Sequence, residues 1–160
     1  MAAFAPADSA EYLQAVVTEP KSRVSTPDWG GRLEVSKGSL TFTGAGTGTA
    51  RMVRLPAGRL IIFPDLCRVV CPVGTATADL HVGLGAYVNM AGTTVAAAPA
   101  AYADNLDVGG GAIDVAWPLP AVGYAVVESK SGVDITTLID TADSPAAGEM
   151  QVTVVYGRSK

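Results

Sequence analysis

The chain has 160 residues, of which 49% are apolar and 16% charged, with a net charge of −4. That length holds one domain with a real core. The scattered Lys and Arg form no basic cluster that could follow a phosphate backbone, which argues against nucleic-acid binding, and no apolar run approaches the ~20 residues of a membrane span.

Residues 1–30 differ from the rest. They contain Pro6, Pro20 and Pro27 and one short apolar patch around Tyr12 to Val17. They read as an extended N-terminal arm ordered by a partner or not at all. Residues 9–17 suit a short helix with Ser9 as its cap. The first residues have neither a basic stretch nor a long apolar one, so no secretory signal is expected.

From residue 31 the pattern is β. Short runs rich in Val, Ile, Thr and aromatics alternate with Gly, Pro, Asp and Ser. Residues 32–35 and 40–43 flank Lys37, Gly38 and Ser39, which predicts a hairpin. Gly44 to Gly48 predicts a flexible loop. Residues 49–55 and 59–63 are separated by the turn signal Pro56-Ala-Gly58. Residues 66–71 read as a strand. Residues 79–84 alternate, with Leu80, Val82 and Leu84 on one face. Pro99 to Asn105 predicts at most one helical turn. Strands follow at 112–117, 123–128, 133–139 and 149–156. In the last, Met150, Val152, Val154 and Tyr156 point one way and Gln151 and Thr153 the other, as in a half-buried antiparallel strand. About nine or ten strands without βαβ alternation predict an all-β antiparallel sandwich or jelly roll over 31–160, preceded by the arm.

Sites of chemistry are sparse. The Gly44–Gly48 loop fits neither the dinucleotide nor the Walker spacing, and no helix follows it. His81 is the chain's one histidine, opposite in phase to Leu80 and Val82, and reads as a surface or interface residue. Asp79 shares its strand face. No nucleophile elbow is present. Cys67 and Cys71, if on one strand, lie about 13 Å apart, too far for a disulfide, and read as small core residues. With His81 they would give three zinc ligands where structural zinc wants four. Asp104 to Asp107 with Gly109 to Gly111 reads as an acidic turn-rich loop and departs from the calcium-loop pattern. Glu128, Asp134, Asp140 and Asp143 fall at strand ends with nothing to bring a pair together. Trp29 and Trp117 could build a sugar platform, but core or interface anchors is the stronger reading. The sequence therefore nominates no catalytic, cofactor-binding or metal residues, no cofactor and no enzyme activity.

From Arg51 onward the layout resembles small tailed-phage virion proteins of the head decoration, or cement, type. The likeness rests on residues 53–58 leading into the apolar strand 59–63, on Asp79-Leu-His-Val-Gly83 in which a strand ends at glycine, on the late strand 133–139, on residues 144–148 and on the closing 151–156. The resemblance implies a β-sandwich or jelly roll, made in the host cytoplasm, that oligomerises, commonly as a trimer. It implies binding to the major capsid protein on the outer capsid surface, with the arm reaching across neighbouring subunits. A head-fibre base, a tail or tail-fibre domain, and a carbohydrate-binding jelly roll are the alternatives.

Overall fold

The computed structural model describes residues 7–8, 24–25, 33–118 and 124–158, the first two pairs by their backbone alone. The expected helix at 9–17 and Trp29 lie outside the described residues. Fourteen strands are described: β1 (Ala7–Asp8), β2 (Val24–Ser25), β3 (Leu33–Phe42), β4 (Gly48–Leu55), β5 (Gly58–Ile62), β6 (Arg68–Cys71), β7 (Asp79–Leu84), β8 (Tyr87–Val88), β9 (Thr94–Val95), β10 (Ala98–Asp107), β11 (Ile113–Ala116), β12 (Ala125–Ser129), β13 (Val133–Asp140) and β14 (Gly148–Arg158). One 3-10 turn, Pro64–Leu66, separates β5 from β6.

Twelve of these strands form an all-β sandwich, and β8 and β9 pair with each other apart from it. The first sheet runs β1-β4-β13-β7-β10. The second runs β11-β6-β14-β3-β2, with β5 also on β14 and β12 on β5. Every described pairing is antiparallel except that of β1 with β4. Among residues 1–30, β1 pairs with β4 of the first sheet and β2 with β3 of the second.

The core lies between the sheets and follows from the alternation. Met150, Val152, Val154 and Tyr156 on β14 face Leu80 and Val82 on β7 and Ile135 and Ile139 on β13, all at most 2% exposed. Side chains of this kind each contribute about 1.5–3 kcal/mol when fully buried.

The hairpin expected at Lys37–Ser39 does not form. Residues 33–42 are one unbroken strand, paired with β14 along ten consecutive positions. Gly38 is there for a different reason: a Cβ at that position would coincide with the carbonyl of Met52 on β4. The backbones of the two sheets approach closely at this point, and only glycine permits it. Gly83 is crowded in another way, by the neighbouring strand of its own sheet. β7 continues through it to Leu84 rather than ending there, and a Cβ would meet the backbone of Ala98 and Pro99.

Residues 98–107 form the strand β10 and not a helical turn. Pro99 is tolerated because β10 is the edge of its sheet. The strand meets β7 with two register shifts, and between Ala103↔Val82 and Leu106↔Leu80 two residues oppose one. This is a bulge, and Asn105 adopts φ 51° in it, a conformation asparagine accepts better than most residues.

Replacing Gly38 with alanine is expected to force β3 and β4 apart. A loss of about 2 kcal/mol or more should appear as a lower urea midpoint with unchanged slope. A midpoint equal to wild type would contradict the close approach.

Candidate functional site

His81 is buried, not superficial. Its Nδ1 lies 2.9 Å from Asp104 Oδ1 on β10, and its Nε2 lies 3.0 Å from Asp140 Oδ1 on β13. The β10 bulge aims Asp104 onto the outer face of the sheet, where the ring already points because Leu80 and Val82 take the inner face. The ring thus ties three adjacent strands together. A catalytic relay needs a hydroxyl or thiol at one ring nitrogen. Here both nitrogens face carboxylates, and the remaining contact is the Asn105 N–H, 3.4 Å from Nδ1.

The other acids are dispersed. Asp134 binds Arg54 at 2.7 Å, while Glu128 makes a looser, half-exposed pair with Arg59 at 3.3 Å. Asp143 accepts the Thr75 hydroxyl through its main-chain carbonyl at 2.8 Å. The stretch expected to be an acidic loop is half strand. Its Asp107 Oδ1 accepts the N–H groups of Gly109 and Gly110, both at 2.9 Å, a local turn device. The Gly44–Gly48 loop is likewise held in place: Gly46 is buried, its N–H donates to Ser144 Oγ at 3.2 Å and its carbonyl accepts the Ser144 N–H at 2.7 Å.

Trp117 is no sugar platform. It is 1% exposed and stacks on Tyr102 with ring centroids 5.0 Å apart. The stack joins β10 of one sheet to the end of β11 of the other. Burial pushes the Tyr102 phenol well above its usual range.

Cys67 and Cys71 are buried free thiols. Cys67 has a specific task. β14 passes β6 and then β5, which lie one after the other along its edge. In the gap between them the Val155 N–H donates to Cys67 Sγ at 3.2 Å, and the Phe63 N–H donates to the Val155 carbonyl at 3.0 Å. The thiol in turn donates to the Phe63 carbonyl at 3.2 Å. Burial pushes both thiols up to about 12.

What remains is surface. Leu66, Val70, Val73, Tyr124 and Val126, five of the six large apolar side chains most exposed among the described residues, belong to β6, β12 or the segments beside them. On the outer face of the second sheet, Val126 of β12 lies opposite Ile61 of β5. Ile61 lies opposite Gly157 of β14, and Gly157 opposite Leu33 of β3. Val155 opposite Val35 forms the next row. The outer face of the first sheet carries His81, Asp79, Asp104 and Asp140. The sandwich therefore has one polar outer face and one with a contiguous apolar strip, and such strips mark interaction sites. Among the described residues no helix is long and apolar enough to cross a membrane.

Substituting His81 with alanine is expected to cost about 1–2 kcal/mol, kept modest because both carboxylates are roughly half exposed. Amide exchange should quicken most in β10. Exchange unchanged there would remove the stapling role. The thiols should resist aromatic disulfide reagents at pH 8 until the chain unfolds. In the unfolded chain they ionise near the ordinary 9.0, whereas the native thiols hold their protons to about 12. Native stability should then fall as pH rises across that window. Rapid labelling of the folded protein at pH 8 would contradict their burial.

The chain matches no protein-family model and none of the curated proteins. Among solved structures, it is similar to a chain of the cyanophage Pam1 capsid asymmetric unit, with a TM-score of 0.54 and 20% identity over 87% of this chain and 95% of that one. It is also similar, more loosely, to a chain of the acid-stable capsid of the Helicobacter pylori bacteriophage KHP30, with a TM-score of 0.43 and 14% identity over 85% and 91% of the two chains. The likeness to the cyanophage chain covers most of both molecules, so the two share the fold.

Proposed function

We propose that this chain is a non-enzymatic structural protein of a tailed-phage particle, a head decoration protein that binds the outer surface of the capsid and stabilises it. The fold correspondence with a chain of a capsid asymmetric unit carries the reading. The apolar strip on the outer face of the second sheet supports it independently, since that surface is suited to a protein partner. The partner is the major capsid protein, and several copies of the chain act together on the capsid lattice.

In this reading the arm adds grip to the capsid. Its Ala7–Asp8 and Val24–Ser25 pairings anchor it to one strand of each sheet, and an anchored arm can bury more partner surface than a globular contact alone.

Purified protein added to particles that lack it should sediment with them and raise their melting temperature. Absence of binding to such particles would overturn the reading. Removing residues 1–28 is expected to leave the sandwich folded, by circular dichroism, and to weaken attachment. A truncated chain that attaches as well as the full one would remove the arm from the proposal.

A further inference from the structure

The β10 bulge sets Asp104 and Asn105 opposite one residue of β7, which is His81. Nδ1 of the ring therefore has an acceptor and a donor within reach, Asp104 Oδ1 at 2.9 Å and the Asn105 N–H at 3.4 Å. Nε2 has Asp140 Oδ1 at 3.0 Å. An ionised carboxylate only accepts, and a neutral imidazole donates through one nitrogen alone. A ring with a proton on each nitrogen satisfies both aspartates. A ring with one proton satisfies one of them and sets a lone pair against the other. The two aspartates are not equivalent in that choice. Bare Nδ1 finds the Asn105 N–H, whereas bare Nε2 finds no donor among the described residues. Asp140 also accepts the Thr141 hydroxyl at 3.2 Å, while among the described residues the Asp104 carboxylate has His81 as its one partner.

We infer, independently of the capsid reading, that His81 is a pH-sensitive clasp on the β10 edge of the first sheet. With two protons the ring ties β10 to both β7 and β13. When a proton leaves Nδ1 for water, Nε2–H stays on Asp140, Nδ1 takes the Asn105 N–H, and Asp104 is released. A short charge-assisted bond is exchanged for a longer neutral one. The surrounding charges act in the same direction. β7, β10 and β13 carry Asp79, Asp104, Asp107, Asp134 and Asp140 and no lysine or arginine. Asp134 is held by Arg54 of β4, and Arg51 of β4 lies opposite Thr136, on the far side of β13 from the ring. Asp79 stands opposite both Asp107 and Asp140, and like charges directly opposite repel. The doubly protonated ring is the one cation these three strands supply. Asp104 and Asp140 are half exposed, so solvent screens the repulsion and the effect stays local. It falls on β10, whose ladder with β7 is interrupted on either side of Ala103. The clasp is complete on the acid side of the ring's transition and weakens as pH rises through it.

The chain has one histidine, so its ring gives a single set of nitrogen signals. Nitrogen–proton correlation spectra of the full chain, from about pH 5 to about pH 9, should show both ring nitrogens protonated at the acid end and the proton leaving Nδ1. Protection of the β10 amides, taken relative to the unfolded chain at each pH, should fall at least ~3-fold through the ring's transition, while protection in β14 holds. His81→Gln should remove that pH dependence. Asp104→Asn should remove it too and leave the ring's own transition in place, because a side-chain amide can accept from a protonated Nδ1 or donate to a bare one. A neutral ring that keeps its proton on Nδ1 would overturn the inference. So would a ring whose protonation does not change over that range, β10 protection that ignores the transition, or an Asp104→Asn chain that loosens as the wild type does. Should both variants fail to fold, the wild-type ring signals and β10 protection decide alone.

Discussion

β14 must satisfy hydrogen-bonding groups along both edges of an eleven-residue strand buried in the middle of a sheet. On one edge β3 does this without interruption. On the other edge two short strands share the work, and the chain has to turn between them. An orphaned main-chain group there would cost about 1–3 kcal/mol. The 3-10 turn at Pro64–Leu66 delivers Phe63 and Cys67 into the gap, so that a carbonyl and an amide of Val155 are both met. The rest of the second sheet depends on this splice. It lets β5 diverge far enough to carry β12, and lets β6 carry β11. A buried thiol suits the place because it can donate and accept weakly while packing like a small hydrophobe.

The parts of the fold that were legible in the sequence are those where local pattern and burial agree. The alternation in 150–156 and 80–84 marks an inner and an outer face, and the structure places those residues accordingly. Gly38 was misread because a glycine between two β runs looks the same whether the chain turns or another backbone passes over it. The deciding atom, the carbonyl of Met52, belongs to a different sheet. β10 was missed because its Ala-rich sequence with an internal proline has little intrinsic strand preference, and pairing with β7 overrides that weakness. The phase of His81 was read correctly, but its environment was not. Its two carboxylate partners are 23 and 59 residues away in sequence, and one reaches it only because of a bulge that no local signal announces.

The two outer faces show how similar strands acquire different roles. The first sheet covers its outer face with polar groups that satisfy one another, His81 with two aspartates being the clearest case. The second sheet leaves Ile61, Val126, Leu33 and Val35 on its outer face, alongside exposed ion pairs such as Arg59–Glu128 and Arg68–Asp114. Such exposed ion pairs add little stability. The core lies between the sheets and does not include those four residues, so covering the strip can serve recognition.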